Sequence, residues 1–227
     1  KINQISRNKK TKILKNKDIL NNFHKNINSD QLNDFRIELY NSINNQKWFL
    51  DEYFGMGKRH LEVICGNELA MQRKVNLSIQ LPKDDSSLLP LHSDVWSGCS
   101  AYEVVLWIPL VDVSKTKSMF ILNAKKYSKF EKLYKKKEVK SANDLYSNLK
   151  SHIEFVKIKH GEFMLFNQNL PHGNIVNKST ETRISLNCRF KSLFTPYRQK
   201  ELGSFFKPLI IRPASKIGLK YKFPEKK

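Results

Sequence analysis

The chain has 227 residues, of which 40% are hydrophobic and 11% aromatic, enough apolar material for one cored domain and too much for a wholly disordered chain. Its formal net charge is +20, carried mainly by lysines scattered among asparagines rather than by arginine clusters, so nucleic acid is not an expected partner. No apolar run approaches the ~20 residues needed to span a bilayer. The lysine- and asparagine-rich start shows no signal-peptide pattern, and Cys65, Cys99 and Cys188 fit neither a disulfide framework nor a zinc spacing, so buried free thiols in a cytoplasmic protein are expected.

Residues 1–17 read as a polar, basic tail. From Ser29 onward Leu32, Phe35, Ile37, Leu39 and Tyr40 recur at mostly helical spacing, with Ser29 or Asp30 as N-cap, which predicts a helix ending near Asn44 and Asn45. A second short helical or turn segment is expected from Trp48 to Phe54, stopped by Gly55-Met56-Gly57. Arg73 to Leu81 then alternates as a strand, with Val75, Leu77, Ile79 and Leu81 on one side and Asn76, Ser78 and Gln80 on the other. Further strands are expected at Glu103–Leu110, Met119–Leu122, Ile153–Ile158, Glu162–Phe166, Asn174–Val176 and Arg183–Phe190. A charged insertion at about 125–150 reads as two helices, with Lys135-Lys136-Lys137 on a solvated face.

Many short strands without alternating helices predict a mainly β fold, an antiparallel barrel of the jelly-roll kind. A single domain is expected, divided into three parts. Residues 1–57 form a tail and helices packed outside, 58–194 form the barrel core with its helical insertion, and 195–227 form a C-terminal extension.

Three ligand-type residues stand out: His92 and Asp94 in Leu91-His92-Ser93-Asp94, and His172 in Pro171-His172-Gly173. Side chains one residue apart share a face of an extended segment, so His92 and Asp94 can reach one cation. With His172 they make two imidazoles and one carboxylate, a set suited to non-haem Fe(II) with open positions for a co-substrate and O₂. An H-x-D pair alone is a weak signal, and the residues C-terminal to His172 strengthen it. Arg183 lies 11 residues on and Ser185 two further, beyond a turn-like Asn177–Glu181 run. A hairpin centred near Ser179 is expected to bring Arg183 beside His172, roughly 10 Å or less from the metal. A five-carbon diacid chelating iron at one end would then reach the guanidinium and the Ser185 hydroxyl with the other. Arg183, Ser185, Asn187 and Arg189 alternate with Ile184, Leu186, Cys188 and Phe190. That fits an ordinary half-exposed strand as well as a strand with its polar face in a cavity, and the position of Arg183 favours the second.

With these residues the sequence resembles the Fe(II)/2-oxoglutarate-dependent dioxygenase superfamily, within it the phytanoyl-CoA dioxygenase-like enzymes. The matching pieces are His92-Ser93-Asp94, Val105-Leu106-Trp107-Ile108-Pro109-Leu110, Gly161-Glu162-Phe163-Met164-Leu165-Phe166, His172-Gly173-Asn174 to Asn177, and Arg183-Ile184-Ser185. They span about half the chain, from Val75 to Phe190. More narrowly the sequence is similar to oxygenases of bacterial carbohydrate and aminoglycoside biosynthetic clusters. The resemblance implies a double-stranded β-helix with iron at its mouth, Arg183 on the distal carboxylate of 2-oxoglutarate, and a small polar co-substrate contact from Asn174. It also implies that Trp107 and Gln80 face the same cavity. One stretch departs from the family pattern: Ser118 to Asn123 and the lysine-rich insertion replace the usual segment after the central strand, so the insertion is a candidate lid and the substrate class does not carry over.

The expected activity is hydroxylation of a C–H bond in a small metabolite, carbohydrate-derived or anionic. Asp94 favours hydroxylation over halogenation, because the related halogenases lack that carboxylate. Trp96, Tyr102 and Arg189 are the candidate substrate contacts. The competing readings are a cupin-like metal enzyme that needs no 2-oxoglutarate, against which Arg183 argues, and a basic binding module without catalysis, against which the intact ligand set argues.

Overall fold

The computed structural model describes residues 19–135 and 141–222; the tail expected over 1–17, together with Lys136 and Lys137, lies outside them. After a 3-10 turn at Phe23–Asn26 come α1 (Ser29–Asn44) and α2 (Phe49–Cys65), then β1 (Leu69–Gln72) and β2 (Asn76–Gln80). Next are β3 (Val104–Pro109) and β4 (Phe120–Leu122), with α3 (Tyr127–Tyr134) and α4 (Ala142–Leu149) forming the insertion. The chain continues through β5 (Ile153–Phe155), β6 (Met164–Asn167), β7 (His172–Gly173), β8 (Arg183–Ser192), β9 (Phe206–Ile210) and α5 (Pro213–Gly218).

These strands form two antiparallel sheets with several helices around them. The larger runs β6-β3-β8-β1-β9, with β2 also paired to β8, and the smaller runs β5-β4-β7. Strand β8 is the spine of the larger sheet. On one side β3 pairs with it from Val104↔Phe190 to Pro109↔Ser185. On the other, β2 takes its first half, Asn76↔Asn187 to Gln80↔Arg183, and β1 its second. The outer face is covered by helices because the residues on it are apolar. Leu186, Cys188 and Phe190 meet Tyr53, Phe54 and Leu61 of α2, while Ile184 and Ile79 meet Leu32 of α1. The Tyr53 hydroxyl, fully buried, donates to the Leu106 carbonyl at 2.6 Å and so meets its hydrogen-bonding need inside this core. The odd-numbered residues of β8 therefore face the interior between the sheets.

Four differences from the sequence expectations have physical causes. First, α2 does not stop at Gly55-Met56-Gly57 but runs on to Cys65. A Cβ on Gly57 would lie 3.0 Å from a Leu106 methyl, so the glycine lets the helix sit close on β3. The helix ends instead at Gly66, whose φ of 91° is open to glycine. Second, the N-cap of α1 is Asn28, and no side chain caps it. Third, Asn174–Val176 is not a strand, whereas the unexpected β1 and β9 are. Pro208 of β9 is tolerated because β9 is an edge strand, and this segment of the expected C-terminal extension is part of the larger sheet. Fourth, the 177–181 turn makes no hairpin ladder. It carries the chain from β7 in the smaller sheet to β8 in the larger. The Asn177 side chain holds it, accepting from the Ser179 amide and donating to the Glu181 carbonyl.

Candidate metal centre

His92 and Asp94 flank Ser93, which has extended backbone (φ −121°, ψ 132°), so both side chains leave the chain on the same side. Asp94 begins a one-turn 3-10 helix that closes at Gly98, where φ is 81°. His92 is fixed to β7 by a two-bond backbone bridge: its amide donates to the His172 carbonyl at 2.9 Å, and the His172 amide returns a bond of 2.8 Å. This places the two imidazole centroids 4.4 Å apart. One ligand atom from each of His92, Asp94 and His172 lies within 4.8 Å of the others. First-row cations bind such atoms at about 2.1 Å, so a small closure suffices to seat one.

The ring orientations suit a cation. Nδ1 of His92 lies 2.8 Å from the Pro90 carbonyl, and Nδ1 of His172 lies 2.8 Å from the Leu170 carbonyl. A carbonyl only accepts, so each Nδ1 carries the proton and each Nε2 keeps its lone pair for a metal. Burial and the neighbouring His92 push His172 down to about 4. Burial works against ionisation of Asp94, but the His92 hydrogen bond and the Arg189 charge outweigh it and hold the carboxyl far below its usual range. The site therefore presents an ionised carboxylate and at least one neutral imidazole near neutral pH.

Asp94 divides its oxygens. Oδ2 accepts from Arg189 Nη2 at 2.7 Å, while Oδ1 lies 3.5 Å from His92 Nε2. Behind it is a connected polar network. Arg189 Nε donates to Gln168 Oε1 at 3.0 Å and Nη1 to Gln72 Oε1 at 3.2 Å. Gln168 Nε2 donates to Glu103 Oε2 at 2.8 Å and to the Ser100 carbonyl at 2.8 Å, and Glu103 Oε1 accepts the Ser100 amide. The Gln168 carbonyl also accepts the Asp94 amide. Gln168 thus holds both the backbone of the ligand residue and the guanidinium on its side chain. Glu103 and Gln168 are fully buried. Arg189, expected to bind substrate, is instead committed to Asp94 and this network.

A cavity of about 670 Å³ opens from the centre, lined on β8 by Arg183, Ser185, Asn187 and Arg189. Arg183 is only 3% exposed and makes no ion pair among the described residues. Nη2 donates to Ser78 Oγ at 3.0 Å, and Nε has no hydrogen-bond partner. Ser185 Oγ, fully buried beside it, has none either. Burial lowers the pKa of the guanidinium. A buried cation without a counter-charge is unfavourable by several kcal/mol, and two orphaned donors on one cavity wall fit an incoming carboxylate.

No protein-family model and no curated protein sequence matches the chain. Several solved structures do match. HygX from Streptomyces hygroscopicus, with nickel and 2-oxoglutarate bound, aligns over 75% of this chain and 81% of its own, with a TM-score of 0.54 and 13% identity. The same protein with iron bound gives 0.54 and 14% over the same shares. The nickel complex of the non-haem monooxygenase ThoJ gives 0.51 and 16% over 75% of this chain, which spans 62% of that structure's length. The chain shares the fold of HygX and of ThoJ.

On this fold the remaining expected residues fall into two groups. Trp107 lines the cavity from β3, and Asn174 lines it just past His172. The Asn174 side chain is occupied with backbone: it accepts from the Leu89 amide at 2.6 Å and donates to the Ser87 carbonyl, fastening the 87–89 loop. Gln80, Trp96 and Tyr102 are not among the cavity-lining residues. Gln80 is fully buried and donates to the Ile175 carbonyl, Trp96 stacks on Tyr134 of α3 at 4.9 Å, and Tyr102 is 57% exposed. Trp96 instead ties the loop that carries His92 and Asp94 to the insertion. Sequence reasoning missed Gln168, Glu103 and Ser78. Only Ser78 had a visible signal, its place on the polar face of the β2 alternation.

Proposed function

We propose that the chain is an Fe(II)- and 2-oxoglutarate-dependent dioxygenase that hydroxylates a C–H bond of a small metabolite, carbohydrate-derived or anionic. The observation that carries this reading is Arg183, a buried guanidinium without a counter-charge on the same cavity as the His92, Asp94 and His172 set. We read the two sheets as a double-stranded β-helix, one domain with its core over residues 58–194.

In this reading His92, Asp94 and His172 hold the iron, which when bound supplies oxygen activation coupled to oxidative decarboxylation of 2-oxoglutarate. Arg183 and Ser185 hold the distal carboxylate, with Ser78 orienting the guanidinium. Arg189 keeps Oδ2 of Asp94 occupied, so that Oδ1 is the oxygen turned to the metal. Val105, Trp107, Met119 and Phe166 supply an apolar wall that limits water around the reacting groups. Trp107 would form part of the wall around the co-substrate, and Asn174 would act through the loop it fastens.

The test is succinate formation that requires both Fe(II) and 2-oxoglutarate, together with an anaerobic titration watched for the weak visible charge-transfer band of the chelate. Appearance of the band and of succinate supports the reading. A protein that binds Fe(II) but gives neither, across a metabolite screen, overturns it.

A further inference from the structure

Among the described residues the outer edge of β2 has no strand partner, and the cavity is lined on this side by Arg36, Ile37 and Tyr40 of α1 and by residues 86–89, which form its rim. Arg36 bridges this rim. Its Nη2 donates to Ser87 Oγ at 2.7 Å, while Nε is buried and has no hydrogen-bond partner. Among the described residues no carboxylate forms an ion pair with it. Asp84, the acid whose charge acts on it, is engaged by the Ser86 hydroxyl. Lys200 is a second cation on the cavity, with Nζ 5.1 Å from the Phe205 ring centroid and no ion pair among the described residues.

The balance of charge around the cavity makes these two residues informative. The cavity is lined by Arg36, Arg183, Arg189 and Lys200 but by a single carboxylate, Asp94, already paired with Arg189. In the proposed reading one carboxylate of 2-oxoglutarate goes to the iron and the other to Arg183, so the co-substrate brings no charge for Arg36 or Lys200. Arg36 and Lys200 form no ion pair among the described residues, and burial outweighs the charge of Asp84 in disfavouring the charged form of Arg36. A partly desolvated guanidinium with an idle N–H favours an occupant that brings an oxyanion.

We propose that the substrate carries an oxyanion, either a phosphate ester or a carboxylate, which Arg36 receives at the α1 rim, with Lys200 adding positive potential. The inference rests on the functional reading above and adds a substrate class to it.

The protein loaded with Ni(II) and saturating 2-oxoglutarate, which engages the metal face and Arg183, is titrated calorimetrically with inorganic phosphate, with acetate, and with glycerol as neutral control. Saturable anion binding is expected, weakened about tenfold by Arg36→Gln and about threefold by Lys200→Gln, with folding of each variant checked by thermal melting. Tighter phosphate binding assigns a phosphate ester, and tighter acetate binding a carboxylate. No saturable binding of either anion, or equal binding in wild type and both variants, overturns the proposal. The affinity for 2-oxoglutarate itself is measured first. If it does not depend on Arg183, the functional reading fails; if it does while the anion titrations are negative, this inference alone fails.

Discussion

Arg183 and Gln168 have opposite relations to their surroundings, and their substitution has different consequences. Arg183 is a buried cation with an idle Nε, and in the proposed reading its counter-charge comes from 2-oxoglutarate. Arg183→Met is expected to weaken 2-oxoglutarate binding by about 100-fold, roughly 3 kcal/mol for a buried charge-assisted pair, while Ni(II) affinity stays within about threefold. Calorimetry of the two ligands separately checks this. Gln168 is saturated, with partners at Arg189, Glu103, Ser100 and the Asp94 amide. Gln168→Leu leaves Glu103 and Arg189 short of partners and loosens the carboxylate they position. Ni(II) affinity is expected to fall about 10- to 100-fold, as when outer partners of metal ligands are removed. Gln168→Glu is expected to leave Arg189 paired but to repel Glu103, so a metal affinity equal to wild type in both variants would count against a positioning role.

Two elements depend on single residues in ways that stability measurements reach. Gly173 in β7 has unexceptional backbone, but an added Cβ would lie 2.6 Å from the Leu89 carbonyl and 2.9 Å from the Pro90 carbonyl. Backbone atoms that also position His92 must then move, so Gly173→Ala is expected to cost about 2–3 kcal/mol and to weaken Ni(II) binding, measured by urea unfolding and calorimetry. At the far end of β8, Lys191 is buried, with Nζ donating to the Thr195 and Pro196 carbonyls and lying over the Tyr197 ring. Burial pushes its ammonium down to about 8, whereas an unfolded lysine titrates near 10.4. Between these values the unfolded chain holds more protons, so this group makes stability rise with pH across about 8 to 10.4. Lys191→Met is expected to flatten that rise, read from urea midpoints at both ends of the window. Elements with a strong period were legible beforehand: α1, β2, β3 and β8 all appear near their expected bounds. β1 was hidden because four buried residues in succession carry no alternation, and the length of α2 was hidden because its glycines serve close packing rather than termination.

At the scale of the whole molecule, the three thiols report on global opening. Cys99 and Cys188 are buried and Cys65 half-buried, and burial raises all three, Cys65 and Cys99 to about 11. Reaction with an aromatic disulfide reagent at pH 8 is therefore expected to be slow in the native protein and to reach three equivalents only on denaturation. Fast titration of more than one would count against the packing described. At this scale, too, the sequence was legible only in part. Arg183 reaches the cavity by a route other than the expected hairpin, whereas the convergence of His92, Asp94 and His172 on the same cavity was readable from residue type and spacing. The assignment of β7 and β8 to different sheets was not, because a turn sequence does not say whether the chain returns along a neighbour or crosses to another layer. The outer-sphere network escaped for a related reason: Glu103 and Gln168 lie 65 positions apart in sequence and meet only through the fold. Strand β8 carries both Arg183 and Arg189 and is clamped between β2 and β3. Because both arginines stand on one clamped strand, the proposed anchor of the co-substrate and the residue that holds Asp94 cannot shift independently and behave as the fixed jaws of a caliper. In the proposed reading a longer homologue such as 2-oxoadipate and a shorter one such as oxaloacetate are both expected to bind more weakly than 2-oxoglutarate, because the strand holds the gap at one width.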